Sequence, residues 1–217
     1  MLSVILQTCD EPNVLDLTID NINKELASVP DSELILSKNY LCHVPDSEYV
    51  CYIEADCLVN SGYFGSMMGL FKKNPYYRKL AMLSPSVGVK YWHDRVFGYN
   101  IDREWSKIVD NQQTNNIHLY PIKAKKSTST YAIQVGYMPG SIIRTSALKD
   151  VLKKNQCKGD ELEMSARLSL AFWDTGRRVH VNPNSTYVTN LEYVGQKSKF
   201  APIVTDKVHK IFEKEEL

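Results

Sequence analysis

Glu54 and Asp56 stand one residue apart at the end of the apolar run YVCYI. Like charges this close repel, and a divalent cation that prefers oxygen ligands relieves the repulsion. A cation held there could bridge a diphosphate and neutralise a departing nucleotide. The same triplet also reads as a solvated loop after a strand. A second acidic group, Asp160-Glu161-Leu162-Glu163, lies one helical turn before Arg167. One of its carboxylates could act as a general base toward a hydroxyl. Equally, the acids could cap a helix, with Glu163 and Arg167 as an i,i+4 pair. Thr8, Cys9 and Asp10 form a polar loop placed to bind a nucleoside, or a plain strand-to-helix turn with Asp10 as a cap. Gly140 and Ser141, between two apolar segments, either let a ligand approach the backbone closely or make a turn.

These groups need elements to hold them. LSVILQT is a continuous apolar run of the kind buried in a parallel sheet. Leu15, Ile19, Ile22 and Leu26 recur at helical spacing after Asp10-Glu11-Pro12, a helix start. SELILS, YVCYI and KLAMLSPSVGV read as strands, and SGYFGSMMGLFKKN as a helix that stops before Pro75. The alternation argues for βαβ units. The stretch from Tyr91 to Thr130 is polar and is expected to form long surface loops or a flap. Order returns as a strand, a Gly turn, a strand and a helix in YAIQVGYMPGSIIRTSALKDVLKKN. A helix closed by Gly176 follows, then a short strand, RRVHVNP, a basic stretch, GQKSKF, and a charged terminal helix.

The acids of Glu54-Ala55-Asp56 thus fall at the carboxyl end of a strand, where open parallel sheets bind ligands. The 217 residues suit one sizeable α/β domain. With 26 basic and 25 acidic residues the net charge is +1, which gives no reason to expect general nucleic-acid or membrane binding but leaves room for a local basic patch. Five cysteines without a CxxC pair argue against a disulfide framework or structural zinc and for a reducing, cytoplasmic setting. The first residues read as a strand, not a signal peptide, and no run approaches the roughly 20 apolar residues of a membrane span.

An apolar strand with a polar loop, an acid-x-acid strand end, a Gly-Ser-strand element and an acidic helix start occur in that order. The order resembles the nucleotide-sugar-dependent glycosyltransferases of the GT-A fold, especially the large family-2-like group. The resemblance spans Leu2 to Pro183. It implies an α/β fold, a single GT-A (Rossmann-like) domain over 1–217 with a mostly parallel central sheet and helices on both faces. The nucleotide-binding half would cover about 1–90 and the acceptor half about 91–217. It further implies a nucleoside loop at Thr8, Cys9 and Asp10. Asp56 would be a ligand of Mn²⁺ or Mg²⁺, and Glu54 would face the ribose or the metal's waters. VGYMPGSIIRTSAL, with Gly140 and Ser141, would be the acceptor-side strand. Asp160-Glu161 corresponds to the group's acidic signature, and by spacing Glu161 takes the base position. Glu54 stands where the group has Asp, and Asp160-Glu161 inverts its Glu-Asp order.

The activity so implied is metal-dependent transfer of a sugar from a nucleotide-diphosphate donor, a UDP-sugar first, to a carbohydrate or other hydroxyl acceptor, with inversion. A sugar nucleotidyltransferase is the first alternative. It would carry a Gly-rich basic loop after the first strand, whereas QTCDEP is acidic and lacks Gly. A non-catalytic nucleotide-sugar or carbohydrate-binding module is the second. His180 reads as structural, His43, His93, His118 and His209 have no partner at ligand spacing, and Trp105 and Trp173 read as packing residues. Tyr91 and Trp92 could stack on an acceptor.

Overall fold

The opening apolar run folds as β1 (Leu2–Gln7), buried along nearly its whole length, as a run without polar alternation should be. A computed structural model describes residues 1–89, 95–101, 117–152, 160–189, 198–200 and 206–214. After β1 come α1 (Pro12–Leu26), β2 (Ser32–Ser37), a 3-10 turn (Tyr40–Cys42), β3 (Tyr49–Ile53), β4 (Leu58–Val59), α2 (Tyr63–Lys73) and β5 (Leu80–Val89). Then follow β6 (Arg95–Val96), β7 (Tyr99–Ile101), β8 (Ile117–Pro121), β9 (Tyr131–Ala132), β10 (Ile142–Arg144), α3 (Thr145–Leu152), α4 (Glu161–Asp174), β11 (Arg178–Thr189), β12 (Ser198–Phe200) and α5 (Asp206–Lys214).

The main sheet has the order β2-β1-β3-β10-β5-β11-β4, with β6 on β5 and β9 on β11. β1 runs parallel to β2 and β3, and β5 parallel to β11, while β10 lies antiparallel between the two groups. Gln7 pairs with Ser37 and Leu6 with Ile53, so the carboxyl ends of β1, β2 and β3 finish level at one edge. Because β10 is reversed, its beginning lies at that same edge, where the Gly140 N–H donates to the Tyr52 carbonyl at 2.7 Å.

Alternation along β11 shows that helices cover both faces of the sheet. His180 and Asn182 reach the α2 side, where Asn74 and Met67 meet them. Val179 points the other way, against Gly136, whose N–H donates to Ser169 of α4 at 3.2 Å. α1 packs with α2, and α3 and α5 pack with α4.

Two expectations are corrected. Part of the stretch expected as surface loops is sheet: β7 pairs with β8 and β8 with β12, and Phe97, Tyr99, Ile101, Leu119 and Ile122 are buried. Strands of two to five residues are too short for a period of two to stand out. Tyr91, Trp92, His93 and Trp105 lie outside the described residues. RRVHVNP, expected as a short strand, opens the 12-residue β11. Pro183 has no N–H for a ladder, and the strand carries it through a register shift between Asn182 and Thr186.

Candidate active site

At the level edge of the sheet the end of β3 turns into Glu54, Ala55 and Asp56. α1 holds that turn. The Thr18 hydroxyl, buried, donates to the Ala55 carbonyl at 2.7 Å and lies 3.3 Å from that of Cys57. One turn on, Asn21 exchanges hydrogen bonds with the backbone of Val59 at 3.0 and 3.3 Å. Glu25 accepts from the N–H groups of Gly62 and Tyr63 at 2.5 and 3.3 Å, satisfying the exposed donors at the start of α2. Thr18 and Glu25 occupy positions in the apolar stripe of α1, beside Ile22 and Leu26. Two polar residues buried on an otherwise apolar helix face are the sequence signal of this clamp.

Glu54 and Asp56 have different surroundings. Glu54 is 2 % exposed. Tyr137 donates to its Oε1 at 2.9 Å and Tyr187 to its Oε2 at 2.7 Å, while the Glu54 N–H donates back to the Tyr187 oxygen at 3.1 Å. Burial pushes the Glu54 carboxyl up to about 7; the tyrosine hydroxyls oppose the rise and the charge of Glu161 adds to it. Burial also holds the Tyr187 phenol well above its ordinary value, so it remains a donor. Asp56 is half-buried in the turn that follows. The structure therefore turns Glu54 into the core, away from the ligand-facing place expected for it, and leaves Asp56 as the more accessible acid.

Gly140 adopts φ +76°, and a Cβ on it would lie 2.6 Å from the Tyr187 ring. The close approach at this glycine is made by that ring. Its carbonyl accepts from Tyr63 at 2.5 Å. Ser141 is buried, and its hydroxyl donates to the Tyr137 carbonyl. Both residues thus brace the two tyrosines that hold Glu54.

On the other side, α4 begins. Asp160 is its N-cap, accepting from the Glu163 N–H at 2.8 Å, and Glu163 pairs with Arg167 through Nε at 2.9 Å. Glu161 accepts from the Tyr40 hydroxyl at 3.1 Å, and the Tyr40 ring meets Tyr52 of β3 edge-on at 6.3 Å. Glu161 is near enough to Glu54 for their charges to interact. The fold thus brings together the β3 end and the α4 start, more than 100 residues apart in sequence. At the end of β1, the Thr8 N–H donates to the Ser37 carbonyl at 3.2 Å, and the buried Thr8 hydroxyl has no partner among the described residues. Cys9 is half-buried and Asp10 exposed.

Among the described residues no three His, Cys, Asp or Glu side chains are assembled to hold a metal. A hard cation on a diphosphate needs only one or two protein carboxylates, because phosphate oxygens and water complete its shell. Asp56 fits that requirement; Glu54, with both oxygens bonded to hydroxyls, does not.

No known family model and no curated protein matches the sequence. Solved structures do. GalNAc-T7 with UDP, GalNAc and Mn²⁺ aligns over 98% of this chain at a TM-score of 0.56 and 12% identity. S. aureus TarS aligns over 88% at 0.51 and 9%, and TarS 1-349 in complex with UDP-GlcNAc over 87% at 0.53 and 11%. This chain has the GT-A fold. It spans 47%, 37% and 58% of those three chains. The GT-A sheet accounts for the level edge where Thr8, Asp56 and Glu161 lie. No helix among the described residues is long and apolar enough to cross a membrane.

Proposed function

We propose that the chain is a glycosyltransferase that moves a sugar from a uridine-diphosphate donor to a hydroxyl acceptor with inversion. The observation that carries this reading is the convergence of Asp56, at the end of β3, and Glu161, at the start of α4, on one edge of a GT-A sheet. Residues 1–90 would form the nucleotide half and 91–217 the acceptor half of one catalytic domain. The nucleoside would sit over the β1 end, beside Thr8, Cys9 and Asp10, of which Cys9 is half-buried and Asp10 exposed. Asp56 would hold Mn²⁺ or Mg²⁺, which supplies positive charge against the diphosphate.

Glu161 would take the proton from the acceptor hydroxyl. The acceptor oxygen then forms its bond to the anomeric carbon, and the bond to the diphosphate oxygen breaks, the nucleoside diphosphate leaving with the electron pair. Tyr40 orients Glu161 from one side. Asp160, committed to the helix cap, is the less available base. Loss of a positioned base typically costs ~10²–10⁴-fold in rate. Transfer from UDP-sugars with and without Mn²⁺ tests the reading. Glu161→Gln is expected to lose turnover within that range while still binding UDP, and Asp160→Asn to lose much less. Asp56→Ala should abolish metal-stimulated turnover. Equal weak binding of UDP, GDP and CDP, or near wild-type transfer by Glu161→Gln, would overturn the assignment.

A further inference from the structure

The end of the sheet opposite the candidate active site carries concentrated positive charge. Leu80 and Arg178, the first residues of β5 and β11, are register partners, so Arg78-Lys79 and Arg177-Arg178 meet there. Lys72 and Lys73 close the helix that leads into the same loop. Two grooves open at this end. One, of about 320 Å³, is lined by Lys79, Arg177, Arg178 and Lys214 over Trp173 and Ile211. The other, of about 300 Å³, is lined by Pro75, Tyr76, Tyr77 and Arg78 and again by Lys79 and Arg178, which form the wall between the two. The chain as a whole has a net charge of only +1, so this is segregation of charge and not a general excess.

The guanidiniums at this end are held in place. The Arg178 guanidinium stacks 3.9 Å from the centre of the Tyr76 ring. Arg144, at the end of β10, lies over the Tyr77 ring at 5.3 Å and donates to the Tyr77 carbonyl at 2.9 Å. Arg177 is partly neutralised by Asp150 at 3.5 Å and Arg144 by Glu48 at 3.7 Å. Lys79 and Lys214 are exposed and make no ion pair with any described residue. A stacked guanidinium loses little freedom when it binds an anion, and its planar fork matches phosphate geometry. Concave grooves of this size with apolar floors suit a small ligand better than a flat bilayer.

We propose that this end of the molecule is a second ligand site, which binds a compound carrying two or more neighbouring phosphate groups across the Lys79–Arg178 wall. Seven strand steps lead from Leu80 to Val87, the register partner of Tyr187, which is about 23 Å at the usual strand rise. A ligand here therefore does not compete for the edge where Asp56 and Glu161 lie.

Calorimetric titration of the full chain with inorganic tripolyphosphate in EDTA tests this. One saturable site is expected. It should weaken at least tenfold in Lys79→Gln/Lys214→Gln, whose side chains are exposed and whose loss spares the fold, and in Arg178→Gln. Asp56→Ala should leave it unchanged, which separates this site from the donor site. Absence of saturable binding overturns the proposal, as does binding unaffected by the lysine changes. So does equal affinity for orthophosphate, which needs only one anion pocket. Lysine-dependent binding of phosphatidylserine vesicles or a single-stranded oligonucleotide, without binding of tripolyphosphate, would overturn it in favour of a membrane or nucleic-acid surface.

Discussion

Tyr187 both donates to the Glu54 carboxylate and accepts from its N–H, Tyr137 donates to the second oxygen, and the Thr189 side chain adds a further hydrogen bond. Removing one donor to a buried carboxyl leaves that group short of a partner, at roughly 1–3 kcal/mol. Tyr187→Phe is expected to cost more than Tyr137→Phe, because it also orphans a backbone N–H and faces the β3 end directly. Urea unfolding of both single variants and the double would show this; a double that equals the sum of the singles would mean that the two tyrosines act independently. Gly140 tests the same assembly from the other side. Gly140→Ala meets the Tyr187 ring at 2.6 Å and an unfavourable positive φ, and is expected to destabilise by roughly 2–5 kcal/mol. A loss under about 0.5 kcal/mol, the range of ordinary surface substitutions, would show that the ring moves aside freely.

At the scale of elements, α1 serves as a template for the segment that follows β3. Thr18, Asn21 and Glu25 hold the turn at Ala55, strand β4 and the start of α2 in succession. Thr18→Val keeps the shape of the side chain and removes the donor, leaving the Ala55 carbonyl unsatisfied. It is expected to cost about 1–3 kcal/mol and to lower the proposed transfer activity through the position of Asp56. Thr18→Ser, which restores the hydroxyl, should recover most of both. If Thr18→Val matches wild type in stability and rate, the clamp is idle.

For the molecule as a whole, His180 links the α2 face of the sheet to acid sensitivity. Asn74 donates to its Nδ1 at 3.1 Å, which places the ring proton on Nε2, a buried atom without a partner among the described residues. Burial, with Arg178 close by, lowers the His180 pKa from 6.5 to about 4. In the unfolded chain the ring takes up its proton near 6.5, while in the folded chain it resists until about 4. The stability it contributes is therefore complete above 6.5 and is lost as the pH falls from 6.5 toward 4. Urea midpoints at pH 7.5 and 4.5 should fall less in His180→Gln than in wild type. An equal fall in both would assign the acid sensitivity to other groups.

The sequence by itself determined the elements with a strong period or a marked end. β1 and β3 are legible because unbroken apolar runs bury on both faces, α1 because Pro12 opens it and Leu15, Ile19 and Ile22 repeat, and α4 because Asp160 caps it and Gly176 closes it. It also placed Asp56 just after a strand and Glu161 at the start of a helix. The inward turn of Glu54 was decided only by tertiary structure, since its tyrosine partners lie 83 and 133 residues away and carry no local pattern. The same holds for Gly140, whose need for a bare Cα comes from a ring on β11, and for β7 and β8, whose pairing rests on neighbours and not on length. Periodicity and capping act over one or two turns of chain and so can be read along it. The partner of a buried polar group is set by which strands lie side by side, and the sheet order alone supplies that.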